Sequence, residues 1–339
     1  MNNNIELVNS QYADVDFNSQ LSDKSRRDGK ERPWRRYKLA NEYLALSYDE
    51  IDKKKAERLR ACGKFLLFDV DENNNKRLVS ANSCRVRLCP LCSWRRSLKC
   101  FHDTMQIVQY MQENDSKSYA YIFVTLTVKN CVADKLSEML DLLFSAVKRL
   151  YERKEVKRAW HGCVRNLEVT HNCDVNSADY DTYHPHFHLL VAVNKSYFKS
   201  RDYISRDKLR RLWADCLRIK DEKYRENLQV DIRACKCTDA KAVAECSKYA
   251  AKASDYLIFD DWNLTIDTVR TLDRVLANRR LVNYSGVMRD VKRLLKISDV
   301  DDDNVDLTRV ADDDSNFSVK QRQELYFWHS GYSQYYKVK

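Results

Sequence analysis

Proline and glycine are scarce, at three and five residues among 339. That scarcity excludes collagen-like repeats and Pro/Gly-rich linkers, so any segment boundaries must lie in polar or charged runs. Long apolar runs are missing as well. A membrane helix needs roughly 18 consecutive apolar residues, and the longest candidate, Tyr119–Val128, is interrupted by threonines. The opening MNNNIELVNSQYADVD has neither the basic start nor the apolar centre of an export signal, and a reducing cytoplasm is the expected compartment. In such a compartment the twelve cysteines point to free thiols and metal ligands rather than a disulfide framework.

What is present is a globular composition, 44% apolar and 32% charged, over a length suited to about two domains. The net charge of +10 is unevenly spread. Asp299–Asp314 holds eight aspartates and one arginine, leaving the rest of the chain at +17. A basic body with an acidic segment suits a polyanionic partner, nucleic acid above all; a solvated basic surface is the bland alternative.

The pattern divides the chain into five segments. Residues 1–57 combine a polar mobile arm (1–33) with the start of a charged helical stretch, Trp34–Arg60. Residues 58–117 hold a cysteine-rich module and a helix over Trp94–Gln112. Residues 118–258 are the most regular. Residues 259–297 are helical and basic, and 298–339 are an acidic linker and an aromatic tail. In the regular segment, Tyr119–Val128 alternates as a strand and Ala133–Tyr151 has helical period. Trp160–Thr170 and Pro185–Val193 are strands, Asp207–Leu217 a helix, Leu228–Ala234 a strand and Asp239–Lys252 a helix. This β-α-β-β-α-β order predicts an α+β, ferredoxin-like antiparallel sheet, its helices on one face and the other face open. Alternation places Thr125, Thr127, Asn166, Glu168, His186 and His188 on the polar side of three strands, with Leu126, Leu167 and Phe187 behind them.

Three constellations carry chemistry. Cys84-x4-Cys89-x2-Cys92, with Cys62 upstream and a hairpin over Phe65–Ser83 between, suits a closed four-thiolate zinc shell, whose role would be structural. His186 and His188, at i and i+2 on a strand, point to one side. With a hairpin turning near residue 178, Glu168 is expected opposite His188, and this trio suits Mg²⁺ or Mn²⁺ acting on a phosphate oxygen. His184 and His171 are possible substitutes. Glu245, Tyr249 and Lys252 share a face of the last predicted helix, where a phenol could serve as nucleophile; Tyr256 is its rival. Each constellation also has an ordinary reading: incidental buried cysteines, structural histidines and a solvated helix face.

Together the stretches CRVRLCPLCSWRRS, FVTLTVKN, LEVT, HPHFHLLVAV, AECSKYAAKASDY and RRLVNYSGVMRD, in this order over about residues 60–290, resemble plasmid rolling-circle replication initiators of the HUH endonuclease superfamily. The cysteine-arginine motif and the Glu-x3-Tyr step are similar to the small Gram-positive plasmid branch. The resemblance implies a bacterial cytoplasmic enzyme that nicks a double-strand origin. It implies that His186 and His188 hold the catalytic metal and that Tyr249 attacks the scissile phosphate, forming a 5′-phosphotyrosyl link and a 3′-OH primer. It implies further that Glu245 activates water for the terminating cleavage. Glu168 as third ligand is a geometric expectation, and Lys252 is expected to neutralise the phosphate. Arg85, Arg87, Arg95, Arg96, Lys248, Arg279 and Arg280 are the expected DNA contacts. A host helicase and polymerase follow as partners by resemblance, and a homodimer is possible. A mobilisation relaxase or single-strand transposase of the same superfamily is the nearest alternative, although no G-x4-G-K-[ST] loop marks a fused helicase. From another class, a non-catalytic zinc-dependent DNA-binding regulator shares the same motifs.

Overall fold

The computed structural model describes residues 14–24, 31–114, 119–235, 240–247, 251–302, 305–308, 310 and 317–339. Its strands are β1 (Val15–Gln20), β2 (Phe65–Asp71), β3 (Lys76–Ala81), β4 (Tyr119–Thr127), β5 (Gly162–Asn172) and β6 (Thr182–Asn194). They continue with β7 (Val230–Cys235), β8 (Val282–Ser285), β9 (Lys320–His329) and β10 (Gln334–Val338). Two antiparallel five-stranded sheets result, one in each of two compact units.

The first unit joins residues from 1–96, 259–270 and 306–339. Its sheet order is β1-β10-β9-β2-β3. The polarity of residues 1–33 predicts an arm, but residues 15–20 pair with β10, Val15 opposite Val338 and Asp16 opposite Lys337. The aromatic tail is likewise a hairpin, in which β9 lies against β2 with Phe65 opposite Phe327. Local pattern could not reveal either pairing, because the partner strand comes from the other end of the chain. The hairpin expected between Cys62 and Cys84 is present as β2 and β3. The single helical stretch Trp34–Arg60 is two helices, α1 (Trp34–Asp49) and α2 (Lys53–Ala61). The break is fixed by Asp52, whose carboxylate accepts the Lys55 N–H at 3.2 Å as an N-cap. Lys38 of α1 is fully buried and donates to the Arg60 carbonyl at 2.7 Å, satisfying one of the open carbonyls at the end of α2.

The second unit joins residues from 97–258 and 271–305. Its sheet order is β7-β4-β6-β5-β8. Counted within the expected β-α-β-β-α-β segment, the first four strands therefore lie fourth, first, third, second, and every neighbouring pair is antiparallel. Helix α4 (Leu136–Tyr151) buries Leu136, Leu140, Leu143, Val147 and Leu150, the stripe its sequence period predicts. Phe144 of α4 meets Phe187 of β6 edge-on at 5.3 Å, and the Arg165 guanidinium lies over both rings at 4.7 Å. Helix α5 (Arg206–Leu217), capped by the Ser205 hydroxyl, buries Trp213, whose indole N–H donates to the Thr127 carbonyl at 2.7 Å.

The opposite face is not open along its whole length. Phe123, Val164, Leu190 and Ala192 on it form one core with Ile107, Val108 and Met111 of α3 (Pro90–Asn114). The same core includes Val243 and Cys246 of α6 (Ala240–Ser247) and Met288 of α8 (Gly286–Leu294). Helix α7 (Trp262–Leu276) lies between α6 and α8 in the chain. The alternation in Tyr121, Phe123 and Leu190 is apolar on both faces here, and a strand apolar on both faces is buried on both. Thr125, Thr127, Glu168, His186 and His188 form the polar end of this face.

Glu324 of β9 is buried among cations: it pairs with Lys76, with Lys337 at 3.1 Å and with Arg322 at 3.0 Å, and accepts from the Tyr326 hydroxyl at 3.0 Å. Burial pushes its carboxyl up, but Lys76, Lys337 and Tyr326 outweigh that and bring it down to about 2. A depressed carboxylate stabilises the fold above its unfolded-state value near 4.3 and loses that contribution as pH falls through the folded value. Glu324→Gln should therefore cost about 2 kcal/mol at pH 7. In urea titrations across pH, the gap to the parent should close between about pH 4 and pH 2.

Candidate metal centres

The cysteine group lies wholly in the first unit. Cys62 follows α2, Cys84 follows β3, and Cys89 and Cys92 flank the start of α3; all four are buried. Cys62 Sγ lies 3.6 Å from Cys89 Sγ and 3.7 Å from Cys92 Sγ, and Cys84 Sγ lies 3.8 Å from Cys92 Sγ. Four sulfurs bound tetrahedrally at about 2.3 Å from one ion sit about 3.8 Å apart. The spacing fits a shared ion without rearrangement, so this group could hold a metal.

Three residues that the motif does not announce support this group. Gly63 takes a left-handed φ of +64°, and a Cβ there would meet Leu91 at 2.6 Å and the Tyr335 hydroxyl at 3.0 Å. The Tyr335 hydroxyl donates to the Gly63 carbonyl at 2.6 Å, so β10 pins the Cys62-Gly63 corner. Asn41 Oδ1 accepts from the Cys89 thiol at 3.2 Å. Burial pushes the Cys84 thiol up, whereas hydrogen bonds from Cys62, Cys84 and Cys89 hold Cys92 well down.

The second group lies in the second unit. The β5–β6 register places Glu168 opposite His186 and Asn166 opposite His188. The expected pairing of Glu168 with His188 is thus displaced by two residues, because the ladder closes at Asn172 opposite Thr182, centring the turn on residue 177. Glu168 nevertheless faces both rings: its Oε2 lies 3.2 Å from His188 Nε2 and 3.5 Å from His186 Nε2. Its other oxygen takes the Lys252 ammonium at 2.8 Å. His186 Nδ1 lies 3.1 Å from the His184 carbonyl, which only accepts, so Nδ1 carries a hydrogen and Nε2 is the nitrogen turned towards Glu168. His188 Nδ1 is held by the Thr125 hydroxyl at 3.2 Å.

A bare Nε2 against a carboxylate oxygen sets acceptor against acceptor, so a proton or a metal ion must lie between them. Ligand atoms each about 2.1 Å from one ion, at angles of 90–109°, lie about 3.0–3.4 Å apart; the His188 contact at 3.2 Å falls in this range and the His186 contact at 3.5 Å just above it. Glu168, His186 and His188 could therefore hold a metal. Burial would raise the Glu168 carboxyl, but His186, His188 and Lys252 hold it well below the usual carboxylate range, so it is ionised and ready to ligate.

The other candidates are placed as follows. His171 stacks on Tyr183 at 4.4 Å and is tied to Asp181 at 2.9 Å, outside the Glu168, His186 and His188 group. His184 lends its carbonyl, with its ring 5.2 Å from that of His186. Tyr256 is 1% exposed, so its phenol is closed to a macromolecular substrate. Lys248 and Tyr249 lie outside the described residues, and Glu245 lies in α6 with its side chain outside the described set. The helix expected to carry Glu245, Tyr249 and Lys252 on one face is described only to Ser247. Lys252 is not helical: its φ of −87° and ψ of 153° are extended, and it reaches Glu168 from the start of a 3-10 turn.

Among the expected DNA contacts, Arg95 and Arg96 are buried, and Arg95 donates to the Leu307 and Thr308 carbonyls at 2.8 and 2.7 Å. Arg279 is bound to Asp141 at 2.6 Å and to the Val275 carbonyl at 2.7 Å. Arg95 and Arg96 are thus enclosed by the protein, and Arg279 is half-buried and engaged with its own unit. Arg85 and Arg87 are half-buried, and Arg280 is exposed but paired with Asp299 at 3.1 Å. Among the described residues no helix is long and apolar enough to cross a membrane.

Comparison with known proteins gives consistent matches. A family model described as "Replication protein" matches residues 75–336. A "Protein rep" from Bacillus amyloliquefaciens is 32% identical, covering 96% of this chain and 99% of that protein. Another, from Streptococcus pneumoniae, is 33% identical over 93% of this chain and 95% of its own length. One from Staphylococcus aureus is 36% identical over 61% and 86%. No solved structure matches.

Because metal binding and folding are linked at a four-thiolate shell, Cys84→Ser and treatment with a strong chelator should each lower the melting temperature. The two should not add, since each destroys the same shell. Thermal denaturation of parent and variant, with and without chelator, checks this; equal further loss in the chelated variant would contradict it.

Proposed function

The chain belongs to the replication protein family, and from that premise we propose that it initiates plasmid replication by nicking one strand of its origin. The observation that carries this reading is the group of Glu168, His186 and His188 on adjacent antiparallel strands, with Lys252 bound to Glu168. The order fourth-first-third-second of the strands supports a ferredoxin-like HUH nicking domain. A bound Mg²⁺ or Mn²⁺ ion would supply polarisation of a phosphate oxygen there.

The remaining chemistry belongs to side chains. Thr125 and the His184 carbonyl hold both imidazoles with Nε2 facing Glu168. Tyr249 is the nucleophile: its oxygen bonds to the scissile phosphorus, its proton is lost, and the bond to the 3′ oxygen breaks. That oxygen takes up a proton and becomes the 3′-OH primer, leaving the 5′ phosphate on the tyrosine. Lys252, half exposed beside Glu168, offsets negative charge at the site. Glu245 activates water for the second, terminating cleavage. The four cysteines hold zinc in a structural role. Arg85, Arg87, Lys248 and Arg280 contact DNA phosphates, while Arg95, Arg96 and Arg279 stabilise the protein. A host helicase and polymerase act downstream, and the protein works in the bacterial cytoplasm, as a homodimer if the origin presents two half-sites.

Covalent capture tests the reading. Tyr249→Phe should abolish the adduct with a 5′-labelled DNA end, while Tyr256→Phe retains it; the reverse result rejects the assignment. Glu245→Gln should still form the adduct but release products longer than one plasmid unit, with hydrolysis slowed about 10²–10⁴-fold.

A further inference from the structure

The segment Lys195–Arg206 follows β6 at the end remote from the histidines. From His188 to Asn194 the strand advances about 20 Å. Two large aromatic side chains in this segment face solvent, Phe198 at 45% and Tyr203 at 42% exposure, with ring centroids 5.9 Å apart. Between and beside them, Lys195, Lys199 and Arg201 are exposed, and among the described residues their side chains have no ion-pair partner.

The loop is held in shape. Tyr197 is 1% exposed, and its hydroxyl accepts the Ile204 N–H at 3.1 Å and donates to the Ile204 carbonyl at 3.4 Å. Ser200 bonds the Tyr197 carbonyl at 3.0 Å and receives the Asp202 N–H at 3.2 Å, and Asp202 pairs with Arg158. One ring is thus spent as a clamp, and the two that pack on it, at 5.1 and 5.5 Å between centroids, each keep a large part of their surface in water. Exposing two rings on a fixed loop forfeits burial that folding would otherwise gain. The three unpaired cations beside them identify the occupant's charge.

We propose that this loop is a second DNA contact, which takes unpaired single-stranded DNA. Bases stack on Phe198 and Tyr203, and Lys195, Lys199 and Arg201 meet the flanking phosphates. Rings are available to bases only where the bases are unpaired, whereas cations alone serve a duplex equally well. The loop keeps the separated strand on the protein about 20 Å from the proposed scission site. The inference rests on the proposed function for its DNA partner but does not need the nicking step.

The test is a fluorescence-anisotropy titration of the full chain with a labelled oligothymidylate of about 20 nucleotides, longer than the site of a single-strand-binding module. A duplex of equal length is titrated in parallel. The Phe198→Ala/Tyr203→Ala variant should bind the single strand at least about 5-fold more weakly per ring lost, with its far-UV circular dichroism and duplex affinity unchanged. The Lys195→Ala/Lys199→Ala/Arg201→Ala variant should make the salt dependence of single-strand binding shallower by about 2 in log–log slope. Unchanged single-strand affinity in the aromatic variant overturns the proposal. Equal loss on single strand and duplex overturns it in favour of a plain phosphate patch. Altered self-association with unchanged DNA binding overturns it in favour of a protein interface. Cleavage of a short oligonucleotide spanning only the nick site is measured alongside and should be unaffected by the aromatic variant. A parent that does not cleave rejects the nicking reading, while the binding titration still decides this one.

Discussion

The second unit is organised around a single carboxylate. Glu168 offers one oxygen to two imidazole nitrogens and the other to the Lys252 ammonium. Because His186 donates through Nδ1 to a carbonyl, its Nε2 is turned towards Glu168, and a proton or a metal ion must lie between the two. That geometry depends on strand register. A slip of one residue between β5 and β6 would turn Glu168 into the apolar core and Leu167 or Val169 towards the histidines. Phe187 and Leu167, fully buried on the reverse side, fix the register, so the packing and the site are specified by the same alternation.

A parallel dependence shapes the first unit. Its four sulfurs come from three separate places: the end of α2, the loop after β3 and the start of α3. Their corner is held by Tyr335, from the last strand of the chain, and by Asn41, from the first helix. The strands at the two ends of the chain complete one sheet, so this unit has no complete sheet until both ends have come together. Closure between distant segments is entropically costly, and a shared metal shell is one way to offset it.

The charge of the chain also looks different in three dimensions. The acidic segment is not a detached counterweight: within the second unit Asp301 accepts the Leu281 and Val282 N–H groups at 2.9 and 3.0 Å, and Asp299 pairs with Arg280. Arg95 satisfies two carbonyls while buried, and Arg279 and Arg280 are paired with carboxylates, so basic sequence and basic surface are not the same thing. Among the described residues, cations without an ion-pair partner include Lys195, Lys199 and Arg201.

The sequence by itself determined the alternation of β4, β5 and β6, the apolar stripe of α4, the four-cysteine group and the side of the sheet on which Glu168 and the two histidines meet. These follow from period and short spacing, which act through neighbouring residues and are therefore legible along the chain. Tertiary structure alone decided the rest. It placed β1 beside β10, covered half of the polar-side face with α3, α6 and α8, shifted the Glu168 pairing from His188 to His186 and took Lys252 off the helix. It also buried Arg95, Arg96 and Tyr256. Each of these outcomes depends on which remote segment competes for a given surface or hydrogen bond, and a local pattern of residues carries no record of that competition.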